Sequence, residues 1–378
     1  MKKFFQNIAD YIRETDKLLL LFCIIASLFG CALVYSATRY SGSARQFYVQ
    51  FGAMLIGVFV AIIISLFDYR NFSRHIILII AISLGLLIFT YIFGYAPSGT
   101  DNRAWINLPF GMSFQPSELI KIFFTITFST HVAVIDKDEI NKLKNVVLLF
   151  LHGVAPAAIV MALQHDLGTS TILFCIFICM MFAAGIKLRW FALGGAALAV
   201  MTPILWIYGL SPYQKERFTI ILDLNSDAQG KGYQQLQSIK AIGSGGIRGY
   251  GYLNGPKTQS GDVPKAYNDF ILSVAGEELG LIGCVIVFIV LLCIIFRVIY
   301  VGAISNDRKG MVICAGIFGM FLSQTLVNAG MCLAMLPVIG VTLPFFSAGG
   351  TSLVCLYLGV GLVLSVYKNR HARQMKLR

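Results

Sequence analysis

Residues 18–37 of the chain read LLLLFCIIASLFGCALVYSA, an apolar run long enough to cross a membrane as one helix. A helix needs about 20 apolar residues to span the hydrocarbon core of a bilayer. Further runs of this kind follow along the chain, so the sequence predicts an all-α polytopic membrane protein with ten transmembrane helices. The predicted spans are residues 18–37, 46–67, 75–95, 117–135, 145–163, 168–186, 189–210, 269–298, 310–336 and 346–367.

The composition of the whole chain agrees with this interpretation. Of the 378 residues, 57% are hydrophobic and 13% are charged, and the mean hydropathy is +0.77. A soluble protein carries roughly 25% charged residues. So few charges cannot cover a water-facing surface, which excludes a soluble enzyme, a nucleic-acid-binding domain and a disordered chain.

The distribution of basic residues predicts the orientation of the chain. Nineteen of the thirty Lys and Arg residues fall in the short segments that are cytoplasmic when the N-terminus is inside. By the positive-inside rule, this bias predicts an N-in/C-in topology, with cytoplasmic tails at 1–17 and 368–378. The net charge of +12 therefore concerns membrane topology rather than nucleic acid.

Residues 1–378 are interpreted as a single integral membrane domain with two long outer segments. The extracytoplasmic loop 211–268, between spans seven and eight, is too small and too polar to form a separate domain, although residues 232–242 favour a short amphipathic helix. Residues 96–116, with three prolines, predict a loop that lies against the membrane. The nine cysteines lie in apolar segments and the five histidines lack metal-ligand spacing, so neither suggests a disulfide framework or a zinc site.

Ionisable residues in or beside a predicted span are costly and are therefore functional candidates. In the tract from Gln115 to Lys121, Pro116 can occupy the first turn of span four and Ser117 can cap it. Glu118 and Lys121 are three residues apart and can pair on one helix face. Two interpretations stay open: a self-neutralising ion pair at a helix start, or a cation and a carboxylate that face a polar cavity.

Other acidic residues lie near the outer ends of later spans. Asp166 can cap span six, and Asp269 stands at the outer mouth of span eight, where capping is again the alternative to function. Glu277 and Glu278 lie two turns deeper, where a carboxylate must be paired, protonated or solvated by a cavity.

Two glycine-rich segments complete the set of candidates. Residues 243–251 contain Ser244, Gly245 and Gly246, whose backbone could approach an anionic lipid head group, although no nucleotide-binding fold surrounds them. Between spans nine and ten, the prolines and glycines of 328–350 break the chain, which a membrane protein tolerates only inside protein or beside a cavity. A structural kink is the alternative.

Taken in order, these motifs closely resemble those of the SEDS family (shape, elongation, division and sporulation), which includes RodA, FtsW and SpoVE. The resemblance runs from about residue 15 to 370. It is carried by FQPSELIK (114–121), QHDLGTS (164–170), GYQQLQSIKAIGSGGIRGYGYLNG (232–255), NDFILSVAGEELGLIG (268–283) and NAGMCLAMLPVIGVTLPFFSAGGTS (328–352).

The resemblance implies a ten-span peptidoglycan glycosyltransferase in the bacterial cytoplasmic (inner) membrane. Members of this family polymerise lipid II, an undecaprenyl-pyrophosphate-linked disaccharide peptide, at the outer face of that membrane. They serve elongation, division or sporulation and usually work with a class B penicillin-binding protein. Carried over by position, Asp269 is the catalytic acidic residue, and Glu118 and Lys121 line the same outer cavity.

The implied reaction assigns a role to several of these residues. A carboxylate such as Asp269 can act as general base on the attacking sugar hydroxyl. Lys121 and Arg103 are expected to contact the pyrophosphate, and Glu118 to orient Lys121 or to bind a divalent cation, Mg²⁺ or Mn²⁺, with no organic cofactor. Further expected substrate contacts are Gln115, Ser117, Asp166, Ser244, Gly245, Gly246 and Lys265.

Two departures from the family pattern lie close to these residues. Lys265 and Asn268 stand where the family usually has Glu and Thr, and a cation at Lys265 would lower the pKa of Asp269 if the two are close in space. Arg103 and Trp105, adjacent in many members, are separated here by Ala104.

Two other functions remain as alternatives: a flippase for lipid-linked precursors, and a non-catalytic scaffold that activates a penicillin-binding protein. A flippase would also need polar groups along an inner half-channel. Spans one to three contain almost none.

Overall fold

The computed structural model describes residues 14–96, 102–108, 112–222 and 231–371. Most of these residues are helical, and two short strands are present. The helices are α1 (Lys17–Thr38), α2 (Arg45–Leu66), α3 (Ile76–Phe93), α4 (Pro116–Val134), α5 (Leu143–Gln164), α6 (Leu167–Ala183), α7 (Leu188–Ile204), α8 (Pro212–Thr219), α9 (Lys231–Ser244), α10 (Pro256–Ser260), α11 (Ile271–Ala303), α12 (Arg308–Cys332) and α13 (Gly350–Lys368).

The long apolar helices coincide with the predicted spans. Eight helical segments in the described part of the chain are long and apolar enough to cross a membrane, and α6 and α7 are shorter apolar helices of 17 residues each. An apolar helix of 18 or more residues can satisfy its backbone hydrogen bonds inside a bilayer. The chain is therefore an all-α, multi-pass membrane protein, as the sequence predicts.

Helix α12 occupies the centre of the bundle. It packs against α4, α6, α11 and α13, and α2 packs along α13. Helices α3 and α7 lie at the periphery: α3 buries only three of its residues, and α7 buries none of those described. Their exposed apolar side chains are those expected of helices that face lipid.

The two long segments that the sequence predicts to lie outside the membrane contain more regular structure than the sequence suggests. The predicted loop 96–116 includes an antiparallel hairpin of β1 (Ile106–Leu108) and β2 (Met112–Phe114), which apolar periodicity did not indicate; residues 97–101 and 109–111 lie outside the described part. The predicted amphipathic helix 232–242 is confirmed as α9.

The segment between α12 and α13 is irregular, as its prolines and glycines predict. Helix α12 ends at Cys332, four residues before the predicted end of span nine, and α13 begins at Gly350 rather than at 346. Asn328 ties this segment to the bundle, because its Nδ2 donates to the carbonyl oxygens of Asp269 (2.7 Å) and Val341 (2.8 Å). The break therefore brings residues 338–341 next to Asp269, which lies two residues before the start of α11.

Helix α11 is broken at Gly280, whose φ of 67° lies in the left-handed region that glycine adopts without steric cost. The break releases backbone groups that pair with the glycine-rich loop. The amides of Tyr250 and Gly251 donate to the carbonyl oxygens of Glu277 (3.0 Å) and Glu278 (2.9 Å). Beyond the break, the amides of residues 281 and 282 donate to the carbonyl oxygens of residues 246 and 247. Loop and helix are thereby joined by their main chains.

The two carboxylates before this break hold the short helix α10 in place. The side chain of Glu277 is fully buried and accepts from the amides of Lys257 and Thr258 (both 2.8 Å) and from the Thr258 hydroxyl (2.6 Å). It therefore satisfies amides in the first turn of α10 from another element, as an N-cap would. Glu278 accepts from Ser36 (2.6 Å) and Gln259 (3.0 Å). Both carboxylates are thus hydrogen-bonded to α10, while Oε2 of Glu278 has no hydrogen-bond partner among the described residues.

We expect the change Glu277→Ala to lower the stability of the protein measurably. It leaves two amide groups of α10 without their acceptor, and each buried unsatisfied group costs about 1–3 kcal/mol. Thermal unfolding of the purified protein in detergent measures the effect. The change Asp138→Ala, at an exposed position, is the control and should alter stability by less than about 0.5 kcal/mol. Equal melting temperatures for the two variants would contradict the assigned role of Glu277.

Candidate active site

A polar cavity of about 250 Å³ opens where the irregular segment meets the bundle. Its walls come from the starts of α2, α4, α6 and α13, from the hairpin region, and from residues 267–268 and 340–342. Gln50 of α2 fixes one wall, because its side chain donates to the Ser347 carbonyl oxygen (2.8 Å) and accepts from the Gly349 amide (3.1 Å). The cavity thus draws on segments far apart in the sequence.

The ion pair predicted in α4 lines this cavity. Lys121 Nζ lies 2.8 Å from Glu118 Oε1, and the side chains are only 1% and 9% exposed. Among the described residues, the second oxygen of Glu118 has no hydrogen-bond partner, nor has Oε1 of the buried Gln324, which lines the same cavity from α12. Both interpretations of the pair therefore hold: the charges neutralise each other, and they face a polar cavity with unused acceptor oxygens.

Asp166 lies behind the cavity wall and holds two lining residues in place by hydrogen bonds. Its carboxylate accepts from the Thr169 amide (2.9 Å), so the predicted capping of α6 is confirmed. It also accepts from the Thr169 hydroxyl (2.8 Å) and from Gln115 Nε2 (2.9 Å). Gln115 and Thr169 both line the cavity. Asp166 thus fixes two lining residues and caps a helix at the same time.

Ser117 does not cap α4, and that prediction is wrong. The helix begins at Pro116, so the capping position belongs to Gln115, whose side chain makes no capping bond. Ser117 is already the second helical residue, where its hydroxyl is not placed to accept from the first-turn amides as a capping residue does. Its hydroxyl is buried without a partner in the described part of the chain.

Asp269 is not itself among the residues that line the cavity, but it lies beside two of them. Phe270, not Asp269, is the capping residue of α11 and makes no side-chain bond, so helix capping does not account for this carboxylate. Its neighbour Asn268 lines the cavity. Gly340, another lining residue, faces the carboxylate: a Cβ built at Gly340 would lie 3.8 Å from Asp269 Oδ2.

The surroundings of Asp269 set its charge state. The residue precedes α11 and lies outside the membrane-spanning segment. Burial raises the pKa of its carboxyl above the usual value, while Lys265 and Arg217 lower it and Asp166 raises it. Lys265 therefore lowers the pKa of Asp269, as the sequence predicted, but burial raises that pKa by more.

Several predicted site residues lie away from the cavity. Arg103 and Lys265 are exposed and are not among its lining residues, whereas Trp105 is. Ser244, Gly245 and Gly246 belong to the loop joined to α11: the Ser244 hydroxyl donates to the Ala241 carbonyl oxygen, and a Cβ at Gly245 would lie 2.0 Å from the Gly276 carbonyl oxygen. Gly245 therefore packs closely against α11, whereas Ser244 and Gly246 are exposed, and the Gly246 carbonyl oxygen accepts from the amide of residue 281 (2.9 Å).

Three residues near the cavity were missed by sequence reasoning. Arg45, at the start of α2, lines the cavity mouth, and Gln324 lines it from within a span. Arg217 of α8 acts electrostatically on Asp269. Two sequence signals could have identified Arg45 and Gln324 as site residues: Arg45 is an arginine in a short loop between predicted spans, and Gln324 is a polar residue inside a predicted span. In the described part of the chain, no three His, Cys, Asp or Glu side chains form a cluster able to hold a metal ion on their own.

Comparison with known proteins places this geometry in a family. The family model for FtsW, RodA and SpoVE, described as "Cell cycle protein", matches residues 16–372. The peptidoglycan glycosyltransferase MrdB of Escherichia coli K12 is 30% identical over 356 residues, which are 94% of each chain. The probable peptidoglycan glycosyltransferase FtsW of Geobacter metallireducens is 32% identical and covers 94% of this chain and 95% of its own.

Solved structures share the fold. A chain from a study of how a peptidoglycan synthase complex coordinates polymerization and crosslinking superposes with a TM-score of 0.81 at 26% identity, covering 94% of this chain and 98% of that one. The rod shape determining protein RodA of Thermus thermophilus superposes with a TM-score of 0.69 over the same shares, and its 23% identity supports the fold alone. With the family match over residues 16–372, these similarities show that the chain belongs to the FtsW/RodA/SpoVE family of cell cycle proteins.

Proposed function

We propose that this chain is a peptidoglycan glycosyltransferase that polymerises lipid II into glycan strands at the outer face of the bacterial cytoplasmic membrane. The observation that carries the proposal is the polar cavity: the buried Glu118–Lys121 pair lines it, and Asp269 lies beside the lining residues Asn268 and Gly340. The chain that builds this cavity aligns over 94% of its length with relatives named as such enzymes. The family match extends to MrdB and FtsW alike, so elongation, division and sporulation all remain within the proposal.

The proposed reaction needs one proton acceptor beside the attacking sugar. A hydroxyl of the acceptor forms a bond to the anomeric carbon of the donor, the bond from that carbon to the pyrophosphate breaks, and the lipid pyrophosphate leaves with the electron pair. Asp269 takes the hydroxyl proton as general base. Its position beside Gly340, which lines the cavity, supports this role.

Cationic side chains stabilise the departing pyrophosphate as its charge develops. Lys121 supplies one of them, held in place by Glu118. Arg45 takes the second position in this proposal instead of Arg103, because Arg45 lines the cavity and Arg103 does not. Gln115, fixed by Asp166, adds a polar contact in the same wall.

The residues at the cavity also fit a divalent cation that is shared with the substrate. Glu118 Oε2 and Gln324 Oε1 are oxygen atoms without a hydrogen-bond partner among the described residues. Mg²⁺ typically binds one or two carboxylates together with substrate phosphates. Mg²⁺ or Mn²⁺ would supply charge neutralisation at the pyrophosphate. Glu118 and Gln324 would hold it, and the chain need not contain a complete cage.

The proposal extends to topology and partners. Counting the shorter helices α6 and α7 as spans gives ten, in the N-in/C-in orientation that the basic residues favour. The cavity then opens toward the outer face. A class B penicillin-binding protein is the proposed partner, since a relative in fold comes from a complex that couples polymerization to crosslinking.

The direct test is polymer synthesis by the purified protein. Given lipid II, Mg²⁺ or Mn²⁺ and its class B penicillin-binding protein, the protein should produce glycan ladders on a gel, and a chelator should abolish them. Absence of polymer under all these conditions would overturn the enzymatic function. Movement of lipid II across proteoliposomes without polymer would support a flippase instead, and increased crosslinking by the partner alone would support a scaffold.

The two outer arginines give a matched comparison. We expect Arg45→Gln to lower kcat/KM roughly tenfold or more, because a charge-assisted hydrogen bond contributes about 1.5–3 kcal/mol. Arg103→Gln should change it little, since Arg103 is exposed and away from the cavity lining. Initial rates over a range of lipid II concentrations measure both variants. A larger loss in Arg103→Gln than in Arg45→Gln would reverse the assignment.

A further inference from the structure

Helix α8 ties two parts of the site together, although it contributes no residue to the cavity lining. At its N-terminus, Ser211 and Gln214 form a capping box, which satisfies backbone groups that the first turn would otherwise leave unpaired. Gln214 Nε2 donates to the carbonyl oxygen of His165 (3.4 Å), the residue before Asp166. One turn further along, Arg217 Nη1 donates to the carbonyl oxygen of Val338. The helix therefore bridges the start of α6 and the irregular segment after α12.

The segment held by Arg217 is the one that borders Asp269. Gly340 lies two residues after Val338 and faces the Asp269 carboxylate. Asn328 reaches the main chain on both sides, donating to the carbonyl oxygens of Asp269 and Val341. A displacement of residues 338–341 would therefore alter the wall against which the carboxylate rests.

We propose that Arg217 is a positioning residue for Asp269: its guanidinium fixes residues 338–341 beside the carboxylate and places a positive charge near it. This inference rests on the proposed function, in which Asp269 is the general base. Arg217 acts through Asp269 and the neighbouring main chain and needs no contact with the substrate. A guanidinium suits both tasks, because it donates several hydrogen bonds in fixed directions and keeps its charge.

The direction of the electrostatic effect follows from the charges around Asp269. Arg217 lowers the pKa of Asp269, as Lys265 does, while burial and Asp166 raise it. Removing the Arg217 charge should therefore raise the pKa further, so that the base is protonated over a wider range of pH. The titratable and charged groups around Asp269 are Lys265, Arg217, Asp166, Tyr267 and Cys332.

The test compares Arg217→Gln with Arg217→Lys, which keeps the charge, and with Lys215→Gln as control. Lys215 lies on the same helix, but its ammonium donates to the Ile207 carbonyl oxygen. Two readouts are needed: the pH dependence of polymerisation, and the pH dependence of Asp269 labelling by a hydrophobic carbodiimide, read by mass spectrometry. Carbodiimide reacts with the protonated carboxyl group, so labelling reports the charge state without requiring activity.

In Arg217→Gln, we expect the labelling midpoint and the acid limb of the rate profile to move together to higher pH. Arg217→Lys should stay nearer to the wild type, and Lys215→Gln should coincide with it. If Arg217→Gln cannot be purified folded, Arg217→Met, which retains most of the side-chain volume, takes its place. A wild-type midpoint in the neutral variant, or an equal shift in Arg217→Lys, overturns the inference. Absence of polymer together with the expected labelling shift would instead count against the proposed function alone.

Discussion

Replacing Asp269 with asparagine should reduce glycan polymerisation by about 10²–10⁴-fold, the usual contribution of a general base. Asparagine keeps the size and planarity of the side chain and removes its ability to take a proton. The fold should persist, because the Asp269 carbonyl oxygen, not its side chain, accepts the bonds from Asn328 and Cys332. Polymerisation rates and melting temperatures of wild type and variant, measured in the same detergent, check both parts.

The control for this variant is Asp262→Asn, at an exposed position in the same outer segment, which should retain the wild-type rate. The wild-type rate should rise with pH as Asp269 loses its proton, and the midpoint should lie above the usual range for an aspartate because burial raises the pKa. A near-normal rate in Asp269→Asn would assign the base to another group and leave the enzymatic function intact.

Breaking the Glu118–Lys121 pair should destabilise the protein more than replacing the whole pair. Either single change, Lys121→Met or Glu118→Gln, leaves one charge without its partner in a nearly buried position. Such a loss costs about 3–5 kcal/mol, whereas exchanging both members for neutral groups is often close to neutral. Unfolding of the two single variants and the double variant in detergent gives the coupling energy directly.

Polymerisation should be lost in all three variants, because the double variant restores stability but not the cation that faces the pyrophosphate. The exposed pair Glu139–Lys142 has the same spacing and is the matched control, with an expected cost of about 0–1 kcal/mol on Lys142→Met. Stability losses that simply add up in the double variant would show that the two side chains are not coupled. Polymerisation by the double variant would remove Lys121 from the mechanism.

The sequence predicts those features whose cause is local. Apolar runs of sufficient length mark the spans, and the separation of three residues between Glu118 and Lys121 predicts their contact. The capping role of Asp166 likewise depends on residues that follow it directly. The fold class and the part of the cavity wall formed by Gln115, Glu118 and Lys121 could therefore be predicted from the sequence.

Features that depend on distant partners could not be predicted in this way. Glu277 is an acidic residue in an apolar span, and only the position of α10 shows that it accepts three hydrogen bonds there. Arg45 and Gln324 become site residues because α2 and α12 meet the irregular segment. The sequence allows the backbone around Gly245 to approach an anionic lipid head group, and only the structure shows the carbonyl oxygen of Gly276 packed against Gly245.

The junction between the glycine-rich loop and α11 allows the exposed side chains of this loop to vary. It is made by main-chain hydrogen bonds on both sides of Gly280, and such bonds do not depend on side-chain identity. Ile247, Arg248 and Tyr250 project outward from this junction and are exposed. Their side chains can therefore be exchanged without disturbing the main-chain bonds that fix the loop on α11. The loop thus keeps its position while the chemistry of its exposed surface can change.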